Sequence, residues 1–363
     1  MDLRLTDTKS EMRKISLIIT VVCVFMLCFG VALGKDEYVL KFSWVDPPDP
    51  LGHSTSGYAV VFKAEVEKLS GGRIKVELYP AGQLGDQRSS VQQVRRGTVE
   101  SCNISSGVLA SLYYPKLGIF DMPFSFSSRE VSRRVFDSQN PFTREVIEDC
   151  AKKTGIRILS LQPFGFRYLT NNIRPIKSPR DTEGLKIRTM EIVPHMKLME
   201  ALGASPVPIP FLELYTSLQT KVVDGQENTL QNIVAQKFYQ VQKYLALDGH
   251  LMGVGATLIN EKWFQSLPDD LKTAVIEGER VATLTYTGLG ELLDTLALEK
   301  LKSFGMEVYA PSAQEMKLFK DKAVPYVREW MEGQLGKEFV AQYLAAIEQA
   351  EKELQNEAFT AGR

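Results

Sequence analysis

Two arginines have neighbours that suit them to hold a small anion. Arg188 follows the run Leu185-Lys186-Ile187, which predicts a strand that delivers its guanidinium to the C-terminal edge, where open α/β sheets bind ligands. A guanidinium presents several donors in one plane and so matches a carboxylate or a sulfonate. Arg167, within Gly165-Phe166-Arg167, offers the same chemistry. An arginine at a strand end is more often a solvated rim residue, so this pair needs support from the rest of the chain.

The motifs of common catalytic sites do not occur with the required spacing. Three histidines, His53, His195 and His250, form no HExxH pair, and no two cysteines have zinc-site spacing. The segment 52–57 is out of register for a GxSxG nucleophile and is interpreted as the start of a helix. The segment 253–255 lacks the third glycine of a dinucleotide fingerprint. We therefore expect no catalytic residue, no metal and no cofactor, and we do not expect an enzyme.

Short strand patterns alternate with amphipathic helical patterns, which predicts an α/β fold. The predicted strands are 38–44, 73–78, 99–104, 156–161, 184–188, 205–209, 257–260 and 306–309. The predicted helices are 53–69, 87–95, 194–202, 212–220, 231–244 and a tract from 268 towards 303. The last helix is long enough to lie along two domains, and a capping box at 312–315 begins another helix near the C-terminus.

The composition is that of a foldable globular chain rather than a disordered one. Of 363 residues, 44% are hydrophobic, and 43 Lys and Arg nearly balance 44 Asp and Glu. The length suggests two domains or one large one. A formal net charge of −1 provides no basic face for phosphate groups, so nucleic acid is not an expected partner.

The N-terminus has the pattern of an export signal. Arg13 and Lys14 precede an uncharged run, 15–33, and small residues Ala32 and Gly34 occupy the positions that a signal peptidase requires before a cut after Gly34. We expect residues 1–34 to be removed and the rest of the chain to reach the periplasm. The alternative is an uncleaved membrane anchor, because the run is almost long enough to span a bilayer.

Two cysteines and the start of the chain leave alternatives open. Cys102 and Cys150 are the cysteines that follow the signal, and they either pair in an oxidising compartment or are two buried small hydrophobic residues. Translation begins at Met1 or at Met12, which would give a more typical signal peptide.

A family resemblance rests on motifs spread over nearly the whole mature chain. In the second half these motifs are GLKIRT (184–189), LGASP (202–206), PFLELY (210–215), VDGQEN (223–228) and QKFYQVQKYL (236–245). In the first half they are LYP (78–80), QLGD (83–86), GT (97–98) and MPF (122–124). From about 39 to 330, the chain resembles the solute-binding proteins of TRAP (tripartite ATP-independent periplasmic) transporters, the DctP family.

The resemblance implies a two-domain periplasmic binding protein of the Venus flytrap type. Hinge strands join the two α/β domains, a long helix bridges both, and the cleft between them closes on one small organic acid. The expected boundaries are 35–164 with 254–296 for the first domain, and 165–253 with 297–363 for the second.

The resemblance also implies a set of ligand-binding residues. The family arginine at the position of Arg188 makes a two-pronged bond to the ligand carboxylate. Arg167 matches a second cleft arginine, Asn228 an amide that contacts the ligand, and Phe211 an aromatic ring that packs over it. Taken singly, Asn228 could be a turn residue and Phe211 a core residue. Glu227 could steady an arginine of the cleft.

Other positions bear on the choice of ligand. Sialic-acid-binding members carry extra charged groups where this chain has Gln87, Ser105 and Val108, so the sequence does not favour sialic acid. We expect Gln87 and Ser105 to line the site. Glu191 resembles the Met-Glu pair of members that bind smaller acids. It could orient Arg188 or accept a ligand hydroxyl, or it could be a solvated loop charge.

The expected function is therefore capture of a small organic acid in the periplasm and its delivery to TRAP membrane permease subunits, by a protein that the family suggests is a monomer. The ligand could instead be a sugar acid or a small sulfonate, and the loaded protein could serve a sensor rather than uptake. A periplasmic hydrolase or lyase of unknown motif is the alternative from a different class.

Overall fold

The structure, a computed structural model, describes residues 37–361. The signal peptide predicted for residues 1–34 and the choice between Met1 and Met12 lie outside the described residues. Within the described part of the chain, none of the helices has the length and apolar character needed to cross a membrane.

Helices and strands alternate along the chain. The first part contains β1 (Tyr38–Ser43), α1 (Ser54–Leu69), β2 (Ile74–Tyr79), α2 (Gln87–Arg96), β3 (Ser101–Ser105), α3 (Ser106–Leu112), α4 (Arg129–Phe136), α5 (Pro141–Thr154) and β4 (Ile156–Asn171). The middle part contains β5 (Lys186–Thr189), α6 (Val193–Leu202), β6 (Ser205–Pro208), α7 (Leu214–Gln219), β7 (Gly225–Thr229), α8 (Leu230–Ala235) and β8 (Tyr244–Asn260). The last part contains α9 (Glu261–Ser266), α10 (Asp269–Ser303), β9 (Glu307–Tyr309), α11 (Ala313–Leu335) and α12 (Lys337–Ala361). Short 3-10 turns occupy Pro115–Asp121, Pro179–Thr182, Phe211–Glu213 and Phe238–Gln240.

One sheet with two shared strands organises these elements. Its strand order is β2-β1-β3-β8-β4-β7-β5-β6, and β9 pairs with β8. The antiparallel strands β4 and β8 pair along their lengths. The C-terminal part of β8 also pairs with β3, whereas the C-terminal part of β4 pairs with β7. These two strands therefore connect the β2-β1-β3 group to the β7-β5-β6 group, which confirms the predicted α/β fold and its hinge strands.

The long helix α10 packs against both groups. It extends for 35 residues, with Asp269 and Asp270 in its first turn and Lys300 and Lys302 in its last turn, which is the favourable arrangement for the helix dipole. It packs on α1, which follows β1, and on α8, which follows β7. The predicted bridging helix is therefore confirmed. Of the C-terminal helices, α11 packs on α6 and α12 on α4.

Aromatic side chains attach α1 and α10 to the first group of strands. The ring centroid of Phe42 in β1 lies 5.8 Å from that of Tyr58 and 5.5 Å from that of Phe62, both in α1. Tyr58 in turn meets the edge of Tyr286 from α10 at 6.3 Å. Each buried ring of this kind contributes about 1.5–3 kcal/mol by leaving water. The cluster thus fixes the helices beside the C-terminal end of β1.

The helix predicted for 231–244 is wrong. Helix α8 ends at Ala235, Lys237 has a φ of 57°, and a 3-10 turn precedes β8. Lys237 thus has a left-handed backbone conformation, which is uncommon for a residue other than glycine and which interrupts the helix. Ile233, Phe238 and Leu245 enter one core from three different elements rather than from one helix face.

The strands predicted at 156–161 and 257–260 are much longer than their sequence patterns indicate. Strand β4 continues to Asn171 and β8 begins at Tyr244. Buried polar residues interrupt the apolar alternation, including Arg167 in β4 and Asp248 and His250 in β8. The sheet accepts them because they satisfy one another through the contacts described below.

The two cysteines are unpaired. Cys102 and Cys150 are both free and buried, and burial raises the pKa of both thiols. Of the two interpretations of the sequence, the one in which Cys102 and Cys150 are buried small hydrophobic residues is therefore correct.

Candidate ligand-binding cleft

One pocket gathers most of the residues that the sequence predicts for the site. The space between its protein atoms is about 450 Å³, which includes solvent at the open side of the pocket. Six predicted residues line it: Gln87, Ser105, Arg167, Arg188, Phe211 and Asn228. Strands of both groups contribute walls, so the pocket lies between them and is called the cleft from here on.

Arg188 is a buried cation with an unsatisfied donor. It lies in β5, opposite Val207 of β6 and Gln226 of β7, and is 1% exposed. Its Nε donates to the carbonyl oxygen of Ile209 at 2.8 Å. Its Nη1 is buried and has no hydrogen-bond partner among the described residues. A buried donor left in this state costs about 1–3 kcal/mol, which an anion bound in the cleft would offset.

Burial dominates the electrostatics of Arg188. It lowers the pKa of the guanidinium to about 9, and the nearby charge of Glu227 opposes that change only partly. In the described part of the chain, no carboxylate forms an ion pair with Arg188. The cleft therefore contains a desolvated positive charge, and a ligand carboxylate or sulfonate is the group that would stabilise it.

Arg167 carries the same group but already has a partner. It lies in β4 opposite Thr229 of β7. Its Nε donates to Oε2 of Glu227, and its Nη2 donates to Oε1 at 3.0 Å and to the carbonyl oxygen of Glu227 at 2.6 Å. The suggestion that Glu227 steadies an arginine is confirmed for Arg167. The positive charge of Arg167 is thus compensated within the protein, although its guanidinium still lines the cleft.

Behind this pair lies a buried chain of acids and histidines that the sequence does not predict. Glu227 Oε1 lies 3.1 Å from Nδ1 of His195, and Oε2 lies 3.4 Å from Nε2 of His250. The second nitrogen of His195 is 3.2 Å from Oδ1 of Asp121, and that of His250 is 2.7 Å from Oδ2 of Asp248. All five residues are buried. Each histidine therefore lies between two acidic side chains.

The pKa values of this chain follow from its alternating charges. Burial alone would raise the pKa of Glu227, but Arg167 and the two histidines hold it well below the usual range. Burial alone would lower the pKa of His250, but Asp248 and Glu227 raise it to about 9. The pKa of His195 is also raised against its burial, chiefly by Glu227. Glu227 is accordingly ionised at neutral pH and fixed as the partner of Arg167.

Neutral groups complete the part of the cleft around the arginines. Oδ1 of Asn228 accepts from the backbone N–H of Thr229 at 3.0 Å and from Nδ2 of Asn232 at 2.8 Å. Its own Nδ2 makes no hydrogen bond to any described residue. Phe211, half-buried in the turn after β6, meets the edge of Phe238 at 6.3 Å and forms an apolar wall.

Gln87 and Ser105 lie together, whereas Glu191 lies apart. Oε1 of Gln87 accepts from the backbone N–H of Ser105 at 2.8 Å, which joins the start of α2 to the start of α3. Glu191 lines an adjacent pocket and its Oε1 is 3.8 Å from Nε of Arg88. It makes no hydrogen bond to Arg188, and the two interact through their charges alone.

Several cleft residues were missed in the sequence. They are Asp46, Thr55, Asn103, Phe164, Asn232 and Tyr286. Asp46 follows β1, so the strand-end argument that singles out Arg188 would also have found it. Tyr286 lies in the middle of α10, where helical periodicity does not distinguish a cleft residue from a core residue.

The fold and cleft define a class of protein: an α/β protein with two groups of strands joined by shared strands and a buried arginine with an unpartnered donor between them. The family model for bacterial extracellular solute-binding proteins, family 7 (DctP), matches residues 49–334. The chain therefore belongs to this family, as its motifs predict.

Relatives agree with this assignment. A solute-binding protein of Verminephrobacter eiseniae is 36% identical over 257 residues, which cover 70% of this chain and 76% of that protein. The sugar acid binding protein DctPAm of Advenella mimigardefordensis, solved with galactonate, is 31% identical with a TM-score of 0.82 and covers 87% of this chain and 99% of its own. A TRAP periplasmic solute binding protein of Shewanella oneidensis, solved with succinate, is 27% identical with a TM-score of 0.79 and covers 86% of this chain and 99% of its own. The predicted resemblance to TRAP solute-binding proteins is confirmed.

Proposed function

We propose that this protein captures a small organic acid in the periplasm and delivers it to the membrane subunits of a TRAP transporter. The observation that carries the proposal is the buried Nη1 of Arg188, which lines the cleft and lacks a partner among the described residues. Relatives with a similar fold were solved with galactonate and with succinate, which are both carboxylates. The ligand carboxylate binds Arg188, and Arg167, Asn228 and Phe211 complete its surroundings.

The mechanism is binding coupled to closure of two domains, with no bond made or broken. The proposed domains are 35–164 with 254–296, and 165–253 with 297–363. Gln87 and Ser105 then belong to one domain, and Arg188 to the other. A ligand favours closure only through contacts that are better in the closed state, and about 5.5 kcal/mol of differential affinity shifts a 1:99 population to 99:1. The loaded, closed protein is a monomer that docks on the permease.

The test is calorimetric titration and thermal shift of unloaded protein against a panel of small carboxylates, sugar acids and sulfonates. Arg188→Lys keeps the charge but removes the planar fork, so we expect it to lose at least about tenfold in affinity, or about 1.4 kcal/mol. Arg144→Lys, at an exposed position of α5, is the matched control and should bind normally. Equal binding by Arg188→Lys and wild type would contradict the assignment of the site.

Uptake separates transport from sensing. Deletion of the gene should abolish uptake of the bound acid, and the loaded protein should copurify with the permease. Normal uptake by the deletion strain would refute the transport role while leaving ligand capture intact.

A further inference from the structure

The cleft has an uneven distribution of charge. Among its described lining residues, the ionised groups are Asp46, Arg167 and Arg188. Glu227 compensates Arg167, which leaves Arg188 as the one lining cation without an acidic partner in the protein. Asp46 is the one lining carboxylate. Within the cleft itself, and apart from the charged residues of the adjacent pocket that also contains Arg188, a ligand therefore meets one available positive charge and one negative charge.

The contacts of Asp46 leave its carboxylate unneutralised. The basic group nearest to it is Nε2 of His53, 3.5 Å from Oδ1. Nδ1 of His53 accepts from the backbone N–H of Thr55 at 3.3 Å, so the ring proton is on Nε2, which donates to Oδ1 of Asn232 at 2.9 Å. An imidazole with this arrangement is neutral. Asp46 thus has no cationic partner among the described residues and presents acceptor oxygens in a largely buried position.

The other polar groups of the cleft are neutral, and they include both donors and acceptors. Nδ2 of Asn228 and Nε2 of Gln87 donate to none of the described residues, since only the oxygen atoms of these amides are engaged. Asn103 has the opposite arrangement. Its Nδ2 donates to Gln162 at 3.0 Å and to Thr257 at 3.1 Å, which leaves its Oδ1 as an acceptor.

A hydroxyl group fits this set because it both donates and accepts. It can donate to Asp46 or Asn103 and accept from Asn228 or Gln87. A second ligand carboxylate accepts only, and it would share the cleft with the like charge of Asp46 without a second uncompensated cation to bind. An ammonium group donates to Asp46 but leaves the two amide donors unused.

Resting on the proposed function, we infer that the cleft selects monocarboxylates that carry hydroxyl groups, the class of aldonic and related polyhydroxy acids, and that Asp46 excludes the corresponding dicarboxylates. The carboxylate of the ligand binds Arg188. Its hydroxyl groups bind Asp46 and the neutral amides.

Matched pairs of ligands test the selection on the whole protein after it has been unloaded. Each pair has one carbon skeleton with one or two carboxylates: erythronate and meso-tartrate, gluconate and glucarate, galactonate and galactarate. For the pair that binds best, we expect the monocarboxylate to bind at least about tenfold tighter, which is about 1.4 kcal/mol. Hexanoate, which has no hydroxyl group, and serine, which adds an ammonium group, should bind more weakly than the best hydroxy acid.

Variants assign the selection to Asp46. Asp46→Asn keeps the shape and removes the charge, so the preference for the monocarboxylate should fall by about tenfold or reverse. Asp321→Asn, at an exposed position of α11, is the control and should keep the wild-type preference. The thermal midpoint of each unloaded variant verifies that it is folded.

The outcomes separate the two proposals. Tighter binding of a dicarboxylate or of serine by wild type would overturn the inference while capture of a carboxylate stands. An unchanged preference in folded Asp46→Asn would also overturn it, because the charge of Asp46 would then not discriminate. If wild type bound none of the acids, the proposed function itself would fail.

Discussion

The buried histidines make the stability of this protein depend on pH in a defined direction. His250 lies between Asp248 and Glu227, and its pKa is raised from 6.5 to about 9. In the folded protein it therefore keeps its proton over a pH range in which the unfolded chain loses it. Because the folded state binds more protons there, the free energy of unfolding falls as the pH rises. The contribution is fully present below pH 6.5 and is lost through pH 9.

The size of the effect follows from the same values. One unit of difference in pKa between the folded and unfolded states corresponds to about 1.4 kcal/mol, so His250 accounts for about 3 kcal/mol. His195, whose pKa is also raised, changes stability in the same direction. Arg188 acts oppositely above pH 9, because its pKa is lowered. Above about pH 8 the thiols of Cys102 and Cys150 add a change in the same direction, because burial raises their pKa values from 9.0. The contribution of His250 is therefore measured below about pH 8, as the difference between wild type and a variant without this histidine.

Urea unfolding of unloaded protein at several pH values between 6.5 and about 8 measures the effect. The variant His250→Gln removes the titrating group, so its free energy of unfolding should fall less steeply with pH than that of wild type, whatever its absolute stability. The reasoning is refuted if wild-type stability stays constant between pH 6.5 and about 8, or if His250→Gln shows the wild-type slope.

Two further predictions concern packing. In α10, a Cβ on Gly278 would lie 2.7 Å from Cγ2 of Val66 and 3.1 Å from its backbone nitrogen, whereas Gly288 has open space. Gly278→Ala should therefore lower the free energy of unfolding by about 1–3 kcal/mol, and Gly288→Ala should raise it by up to about 1 kcal/mol. If urea unfolding showed that both variants shift stability in the same direction, this account would be contradicted. Phe211→Ala should weaken ligand binding by about tenfold in calorimetry, and Phe304→Ala, an exposed aromatic position, should not; equal affinities in the two variants would show that Phe211 is not a wall of the site.

The parts of the fold that follow from the sequence are those in which local pattern and tertiary role agree. Helix α1 stops at the glycines after Leu69, and α10 shows long helical periodicity with charges that suit its ends. The full lengths of strands β4 and β8 cannot be predicted from the apolar alternation in the sequence, because residues such as Arg167 and His250 are polar and yet buried. The partners of these residues are distant in sequence, and their hydrogen bonds and charges offset the free-energy cost of burying the polar groups.

The same distinction applies to the candidate site. Arg188 lies at a strand end and within a family motif, and both features can be recognised in the sequence without the structure. The spacing of His195 and His250 excludes a common zinc motif, but spacing in sequence cannot show that both histidines contact one acid, Glu227. Glu191 is near Arg188 in sequence, but the chain turns its carboxylate towards Arg88. Glu191 is therefore close to Arg188 in sequence without lining the pocket that holds the other predicted residues.

Arg167 and Arg188 show how one side-chain type can have two roles in a single cleft. Pairing with Glu227 fixes Arg167 before a ligand arrives, so that Arg167 offers oriented N–H groups without a net charge. Arg188 has no such acid among the described residues, so its charge stays uncompensated within the protein. Had both arginines been free, the cleft would have favoured a dianion, and had both been paired, it would have had little attraction for any anion. Under the proposed function, Glu227, which does not line the cleft, therefore sets the ligand charge that the cleft accepts. Arg167 and the two histidines hold the pKa of Glu227 well below its usual range and so keep it ionised.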